Sequence, residues 1–225
     1  SIETGTGHET AVDMRYRNSE DEKTRELLQF IRFSEHVAAR IHGLRDREAI
    51  FDTIIEEVTS SGRYTFSVMM LADDASTLRL AALSAKPALI RKLEKKTGMR
   101  PGTFRVELNK SEIWSRVARG GETLRVRAVD VVGEVFPGPI AAAVVRILGQ
   151  QREEGILTPL YRGNRIVGTF ALSCPALYHE YLPSVRNLAR HISAELELAD
   201  DLEHRTRVQD RLLRTEADLR GRLRE

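Results

Sequence analysis

Gly155-Ile156-Leu157-Thr158-Pro159-Leu160-Tyr161-Arg162-Gly163-Asn164-Arg165-Ile166-Val167-Gly168-Thr169-Phe170-Ala171-Leu172-Ser173 holds the clearest local signal in this chain of 225 residues. Two β-rich arms, Gly155 to Tyr161 and Ile166 to Ser173, flank Arg162-Gly163-Asn164-Arg165. Glycine and asparagine supply the positive φ that a tight connection between antiparallel strands needs, so the stretch predicts a β-hairpin. A second hairpin is predicted upstream, Tyr64 to Leu71 and Thr77 to Leu83, around the turn Ala72-Asp73-Asp74-Ala75-Ser76. Thr103 to Leu108 and Thr123 to Val126 add two short strands. Strands joined by tight turns pair antiparallel, so the fold class is α+β, with a central antiparallel sheet of five or six strands flanked by helices.

Working outward, helices surround these strands. Ser19-Glu20-Asp21-Glu22 has the form of a capping box and predicts a helix from Ser19 to Ile41, stopped by Gly43. Its apolar positions spread over more than one stripe, which implies one face on its own domain and one on a partner. Asp46 is the expected N-cap of a second helix carrying Ile50, Phe51, Ile54, Ile55 and Val58, ended by Ser60-Ser61-Gly62. Shorter helices are expected over Pro87 to Lys96, Ser111 to Arg119 and Ile140 to Leu148, with Val129 to Pro139 irregular. Tyr181 to Glu225 reads as one long helix. The resulting organisation is a flexible tail over residues 1–18, an N-terminal packing and dimer helix over 19–43, a globular domain over 44–199 and a C-terminal helix over 200–225.

Lys and Arg number 35 against 33 Asp and Glu, and the net charge of +2 offers no reason to expect a nucleic-acid partner. The longest apolar run, Ile140 to Val145, is far short of the ~20 residues of a membrane span. One cysteine, Cys174, excludes an intrachain disulfide framework or a multi-cysteine metal site. These features predict a soluble, cytoplasmic protein.

Catalytic signatures do not emerge. The six histidines form no H-E-x-x-H, and His36 and His42 share no helix face, so no metal ligand pair is evident. There is no nucleophile elbow and no phosphate-binding glycine loop. Cys174, in Leu172-Ser173-Cys174-Pro175, reads as a haem thiolate, a bilin attachment point, a redox switch or, in the plainest reading, a small buried hydrophobe. His191 and His204 lack the phosphoacceptor pattern of a histidine kinase and read as helix-surface or interface residues. The basic run Arg91-Lys92-Leu93-Glu94-Lys95-Lys96 reads as a solvated helix face.

The order of elements, together with three strings, resembles the GAF family of small-molecule sensor domains. The strings are Thr158 to Gly168, which looks like that family's closing hairpin, Ile113 to Thr123, and Val129-Asp130-Val131; Leu182 to Ala199 looks like its C-terminal helix. The resemblance spans Ile41 to Ala199. It implies a ligand pocket flanked by Phe104, Trp114 and Phe136, with Asp130, Thr158 and Thr169 as candidate polar anchors. The alternative is that the aromatics are core and the polar groups strand or turn surface. Some GAF proteins reduce methionine sulfoxide, but that chemistry needs several cysteines. Asn109-Lys110 matches only the start of the family's cyclic-nucleotide signature. No cofactor is required by the sequence, and neither haem nor a cyclic nucleotide is indicated.

The terminal helix carries the partner reading. Asp200 to Glu225 contains seven acidic and seven basic residues, a balance suited to the salt-bridged flanks of a coiled coil. Leu198, Leu202, Leu212, Leu219 and Leu223 fall along one seam that Arg205 and Glu216 interrupt. The expectation is a homodimer through the N- and C-terminal helices. Its pocket would take an unknown small molecule and signal to a downstream output module, most often a histidine kinase in this family. The chain ends in mid-helix, which suggests such a module. The fragment itself is read as no enzyme, and the competing reading is a GAF-like dimerisation or interaction module with no ligand.

Overall fold

The computed structural model describes residues 6–223, with side chains from Met14 onward. Its helices are α1 (Thr6–Ile41), α2 (Arg47–Ser61), α3 (Pro87–Thr97), α4 (Glu112–Ala118), α5 (Ala128–Gly133), α6 (Gly138–Ile147) and α7 (Leu182–Arg222). Its strands are β1 (Thr65–Leu71), β2 (Thr77–Leu83), β3 (Arg105–Glu107), β4 (Leu124–Arg127), β5 (Glu154–Arg162) and β6 (Arg165–Cys174). The six strands form one sheet in the order β3-β2-β1-β6-β5-β4, and every neighbouring pair is antiparallel. The α+β class and the two hairpins are as the sequence predicts.

Alternation along the two central strands divides the molecule into layers. Phe66, Val68 and Met70 of β1 and Phe170, Leu172 and Cys174 of β6 pack on one side into a core with Phe30, Val37 and Ile41 of α1, Ile50 and Ile54 of α2, and Val185, Leu188 and Ile192 of α7. On the other side Met69, Leu78, Val106, Leu108 and Leu157 meet Trp114 and Val117 of α4. Residues i and i+2 of a strand share a face, so the hydrophobic content of each strand is split between two cores.

Local signals behave largely as read. The Asp46 carboxylate accepts from the Glu48 N–H at 3.1 Å, and Gly62 closes α2 in the left-handed region at φ 65°. The β5–β6 turn places Gly163 at φ 59°. Two expectations are corrected. Helix α1 begins at Thr6, so residues 6–18 are helical rather than a tail, and Ser19 to Glu22 lies inside the helix instead of capping it. Glu9 to Asn18 contains no glycine or proline, and nothing there interrupts helix propagation. The tail's first five residues lie outside the described residues, as do Arg224 and Glu225 at the other end. Within the segment read as irregular, Ala128–Gly133 forms a short helix, with Asp130 paired to Arg127 at 2.9 Å across its first turn.

Helices α1 and α7 run side by side in the same direction. Lys23 of α1 pairs with Glu180 just ahead of α7 at 2.5 Å, and His42, just beyond α1, meets Glu195 at 2.9 Å. The exposed part of α1 therefore precedes the packed stretch, and the exposed part of α7 follows it. From Glu203 to Leu223 every residue of the terminal helix is exposed. At 1.5 Å per residue this stretch extends about 30 Å beyond the sheet.

Gly168 in the family-like string has a steric reason. A Cβ there would run into the Met69 carbonyl and lie 3.0 Å from Met70 Sδ. Gly168→Ala is expected to cost about 1–3 kcal/mol by overpacking the β1–β6 pair, read from the urea midpoint.

Candidate functional site

Beneath α3, α5 and α6 the sheet does not fill its own roof. The central positions on that face are short: Ser67 of β1, Gly155 of β5, and Ala171 and Ser173 of β6. Larger side chains surround them, Ile90 and Leu93 from α3, Val131 and Val132 around α5, and Val144 and Leu148 from α6. The mismatch leaves a cavity of about 220 Å³, walled mainly by apolar side chains. An engineered apolar cavity of about 150 Å³ accepts benzene, so this one accommodates a ligand built on a single ring. Helix α3 contributes no fully buried residue, which makes it the most weakly held part of the roof.

Phe104, Trp114 and Phe136 all line the cavity, and the rings of Phe104 and Phe136 stack with centroids 5.8 Å apart. The three polar candidates do not. Asp130 lies on the outer side of α5, where it pairs with Arg127. Thr158 pairs across the sheet with Phe170 and so shares the helix-side face; its hydroxyl bonds Thr123 at 2.8 Å. Thr169 lies opposite Met69 on the cavity side but does not reach the cavity, and its hydroxyl is buried without a hydrogen-bond partner among the described residues.

The polar groups that do reach the cavity are Thr65, Ser67 and Ser173 on the strands, Thr97 on α3, Gln150 after α6 and the exposed Arg100 after α3. Thr65 and Ser173 contact each other through their hydroxyls, and Gln150 Nε2 donates to Thr65 Oγ1 at 3.2 Å. Behind them Glu153 is half-buried, and Thr65 Oγ1 donates to its carboxylate at 3.5 Å. Burial pushes the pKa of Glu153 above the ordinary carboxylate value, and the neighbouring Ser173, Gln150 and Thr65 side chains pull it partly back. None of these residues stood out as a motif. The available signal was the alternation of Thr65, Ser67 and Ser173 with large apolar neighbours in strands otherwise built for burial.

Elsewhere the titratable candidates are plain. Cys174 lies on the helix side of the sheet, buried, and burial pushes its thiol up to about 11. His191 and His204 are exposed on α7. Among the described residues no group of three or more His, Cys, Asp or Glu is arranged to hold a metal ion, and no helix is long and apolar enough to cross a membrane.

No protein-family model matches the sequence, and no curated protein does. Solved structures do match in fold. The GAF domain from a phosphoenolpyruvate-protein phosphotransferase of Coxiella burnetii superposes with a TM-score of 0.56 at 12% identity, covering 78% of this chain and 96% of that one. Free methionine-R-sulfoxide reductase from Neisseria meningitidis, solved with its substrate, gives 0.57 at 12% identity over 78% of this chain and 93% of that one. A methyl-accepting chemotaxis protein fragment gives 0.52 at 12% identity over 74% and 98%. The chain thus has the GAF-domain fold.

A thiol raised from 9.0 to about 11 carries on the order of 100-fold less thiolate near neutral pH. Cys174 is therefore expected to resist alkylation by iodoacetamide in the native protein and to react fully in denaturant, as followed by intact-mass measurement.

Proposed function

We propose that this chain is a sensory domain: a small molecule occupies the cavity, and its presence is relayed through α7 to an output module, most simply a histidine kinase. One observation carries the reading. The β5–β6 hairpin that supplies part of the cavity floor is fastened by its tip to α7 where that helix leaves the domain. Tyr161 N–H donates to Ser193 Oγ at 3.0 Å, Gly163 N–H to Glu197 Oε2 at 3.3 Å, and Arg162 pairs with Asp201 at 2.6 Å. A change in strand position under the cavity is thereby delivered to the root of the exposed helix. The likeness in fold to a chemotaxis protein supports a signalling role.

The reading includes a homodimer, paired along α7 with α1 alongside. Leu198, Leu212, Leu219 and Leu223 are 46%, 65%, 55% and 87% exposed, and Leu202 is half-buried. A helix whose last five turns touch nothing in its own domain is marginal in water, and pairing with a second copy would bury this seam. The exposed charges already pair along the helix, Arg207 with Glu203 and Arg220 with Glu216, leaving the leucine edge free for a partner. Thiol chemistry like that of a sulfoxide reductase has no support at the cavity, because the chain's one cysteine is buried in the core on the opposite face of the sheet.

Native mass spectrometry of the purified protein is expected to give a dimer carrying extra mass. Filling the cavity with Ala171→Phe should remove that mass while leaving the dimer. Failure of any small molecule in a metabolite panel to bind or raise Tm would point instead to a dimerisation module.

Leu212→Glu with Leu219→Glu is expected to weaken dimerisation by about 100-fold or more, since each leucine withdrawn from an apolar seam costs about 1.5–3 kcal/mol. Sedimentation equilibrium reads this directly. A dimer of unchanged affinity would place the interface elsewhere.

A further inference from the structure

Charge is distributed unevenly around the cavity. Residues 86–105, which span α3 and the loop after it, hold seven basic residues and one acidic residue, in a chain where 35 face 33. The rest of the chain is therefore net acidic, and the positive charge is concentrated on one part of the cavity roof. Helix α3 turns Ile90, Leu93 and Thr97 to the cavity, while Arg91, Lys92, Lys95 and Lys96 are exposed. None of these four, nor Arg100, forms an ion pair among the described residues. Arginines elsewhere on the surface do pair, Arg116 with Glu122 and Arg125 with Glu154. Unpaired charges of one sign beside a cavity raise the local concentration of the opposite ion and speed its arrival.

The lining has the same sign. Arg100 is its one charged residue, and no Asp or Glu belongs to it. Exposed and yet part of the wall, Arg100 stands where the cavity meets solvent. Two more lining residues hold uncommitted donors among the described residues. The Ser67 hydroxyl takes part in no hydrogen bond, and the indole N–H of Trp114, a side chain 6% exposed, is buried without an acceptor. A buried donor left so is costly. The corner at Thr65, Ser173 and Gln150 differs, because its groups bond one another and Thr65 Oγ1 reaches the Glu153 carboxylate at 3.5 Å. The loop from Arg100 to Phe104 is tied elsewhere. Leu80 N–H donates to the Phe104 carbonyl at 3.4 Å, and Leu80 pairs with Met69, four residues along β1 from Thr65. Four residues of strand span about 13 Å, so the cavity has one end backed by a carboxylate and another fronted by a guanidinium.

We infer that the ligand class is a ring-sized apolar anion, in its simplest form an aryl carboxylate, with its ring among Phe104, Trp114 and Phe136 and its carboxylate toward Arg100. This inference rests on the sensory reading above and names the ligand of that same cavity. The basic face of α3 draws the anion in, and Arg100 holds it. Ser67 and Trp114 offer donors that carboxylate oxygens can accept and an ammonium cannot use. Glu153 at the far end disfavours the reversed orientation. A nucleic acid or other polyanion does not fit the description, because the body accompanying the charge must itself enter the cavity.

The test uses four probes that share one ring and differ at the end of a two-carbon chain: phenylacetate, phenylacetamide, 2-phenylethylamine and ethylbenzene. The chain's one tryptophan, Trp114, lines the cavity, so its fluorescence reports occupancy without a label. Phenylacetate is expected to bind at least about tenfold tighter than the amide, with the amine weakest, and its advantage should shrink as salt is raised. Arg100→Gln should remove most of that advantage and leave ethylbenzene affinity unchanged. Ala171→Phe should abolish the response to all four. The ranking on the unaltered protein needs no variant, so a misfolded Ala171→Phe would not protect the inference. Phenylacetate no tighter than the amide, or an amine tighter than either, overturns the anion assignment while the cavity remains a binding site. A preference that survives Arg100→Gln overturns it too, as does a phenylacetate response that survives in folded Ala171→Phe, which would put the anion on the outer surface. If none of the four perturbs Trp114, ethylbenzene included, the cavity is not a ligand site and both readings fall together.

Discussion

In the central pair of strands, side-chain size alternates with the face of the sheet. Toward α1, α2 and α7 stand Phe66, Val68, Met70, Phe170 and Leu172, all nearly inaccessible to solvent. Toward the roof stand Thr65, Ser67, Ala171 and Ser173, with Met69 the one large side chain among them. Pleating forces successive residues onto opposite faces, so one stretch of sequence builds a close-packed layer and a hollow one together. The packed layer fixes the sheet against the long helices. With that side rigid, the hollow side can be empty without collapse, because the strands that would have to move are already pinned from behind. Gly168 tightens the constraint, since β1 and β6 approach too closely there for any side chain.

The long helices depend on the same layer. Val185, Leu188, Ile192 and Leu196 of α7 bury into it at successive turns, and nothing comparable follows Ala199. Past that point the fastening becomes polar: Arg47 meets Asp200 at 2.6 Å, and Arg162 meets Asp201 at the same distance. Ion pairs of this exposure contribute about 0–1 kcal/mol each. They set the direction of the helix without welding it. The root of α7 is thus a boundary between a segment held by apolar burial and one held by weak, directional contacts, and the tip of the β5–β6 hairpin lies at that boundary.

Much of this was legible in the sequence because it is local. Hairpins, the Asp46 cap, the Gly43 and Gly62 stops and the extent of α7 each follow from residues a few positions apart. The capping box at Ser19 misled for a related reason: Ser-x-x-Glu signals a start only where the preceding residues cannot be helical, and Glu9 to Asn18 can. The cavity was legible only through its aromatics. Phe104, Trp114 and Phe136 are conspicuous as residue types, whereas Thr65, Ser67, Gln150 and Ser173 look like ordinary polar residues. They are functional candidates because the register of β1 against β6 sets Thr65 across from Ser173, far apart in the chain. Thr158 and Thr169 lie outside the cavity for the converse reason. Each is polar in an apolar strand, but their faces and depths are decided by pairing, and no feature of the hairpin string alone reveals it.

A cavity of this size limits how strongly it could govern the helix. A ligand shifts an equilibrium only by the difference between its affinities for the two states, and a coupling free energy between sites is typically about 1–3 kcal/mol. A continuous leucine seam would bury so much that such a difference could not move it. The seam on α7 is instead broken by Arg205 and Glu216 and flanked by equal numbers of opposite charges. A paired helix built this way has alternative registers of similar energy, which is the condition under which a small ligand's contribution decides between them. The interruptions that make α7 a poor zipper are therefore what would make it a usable relay.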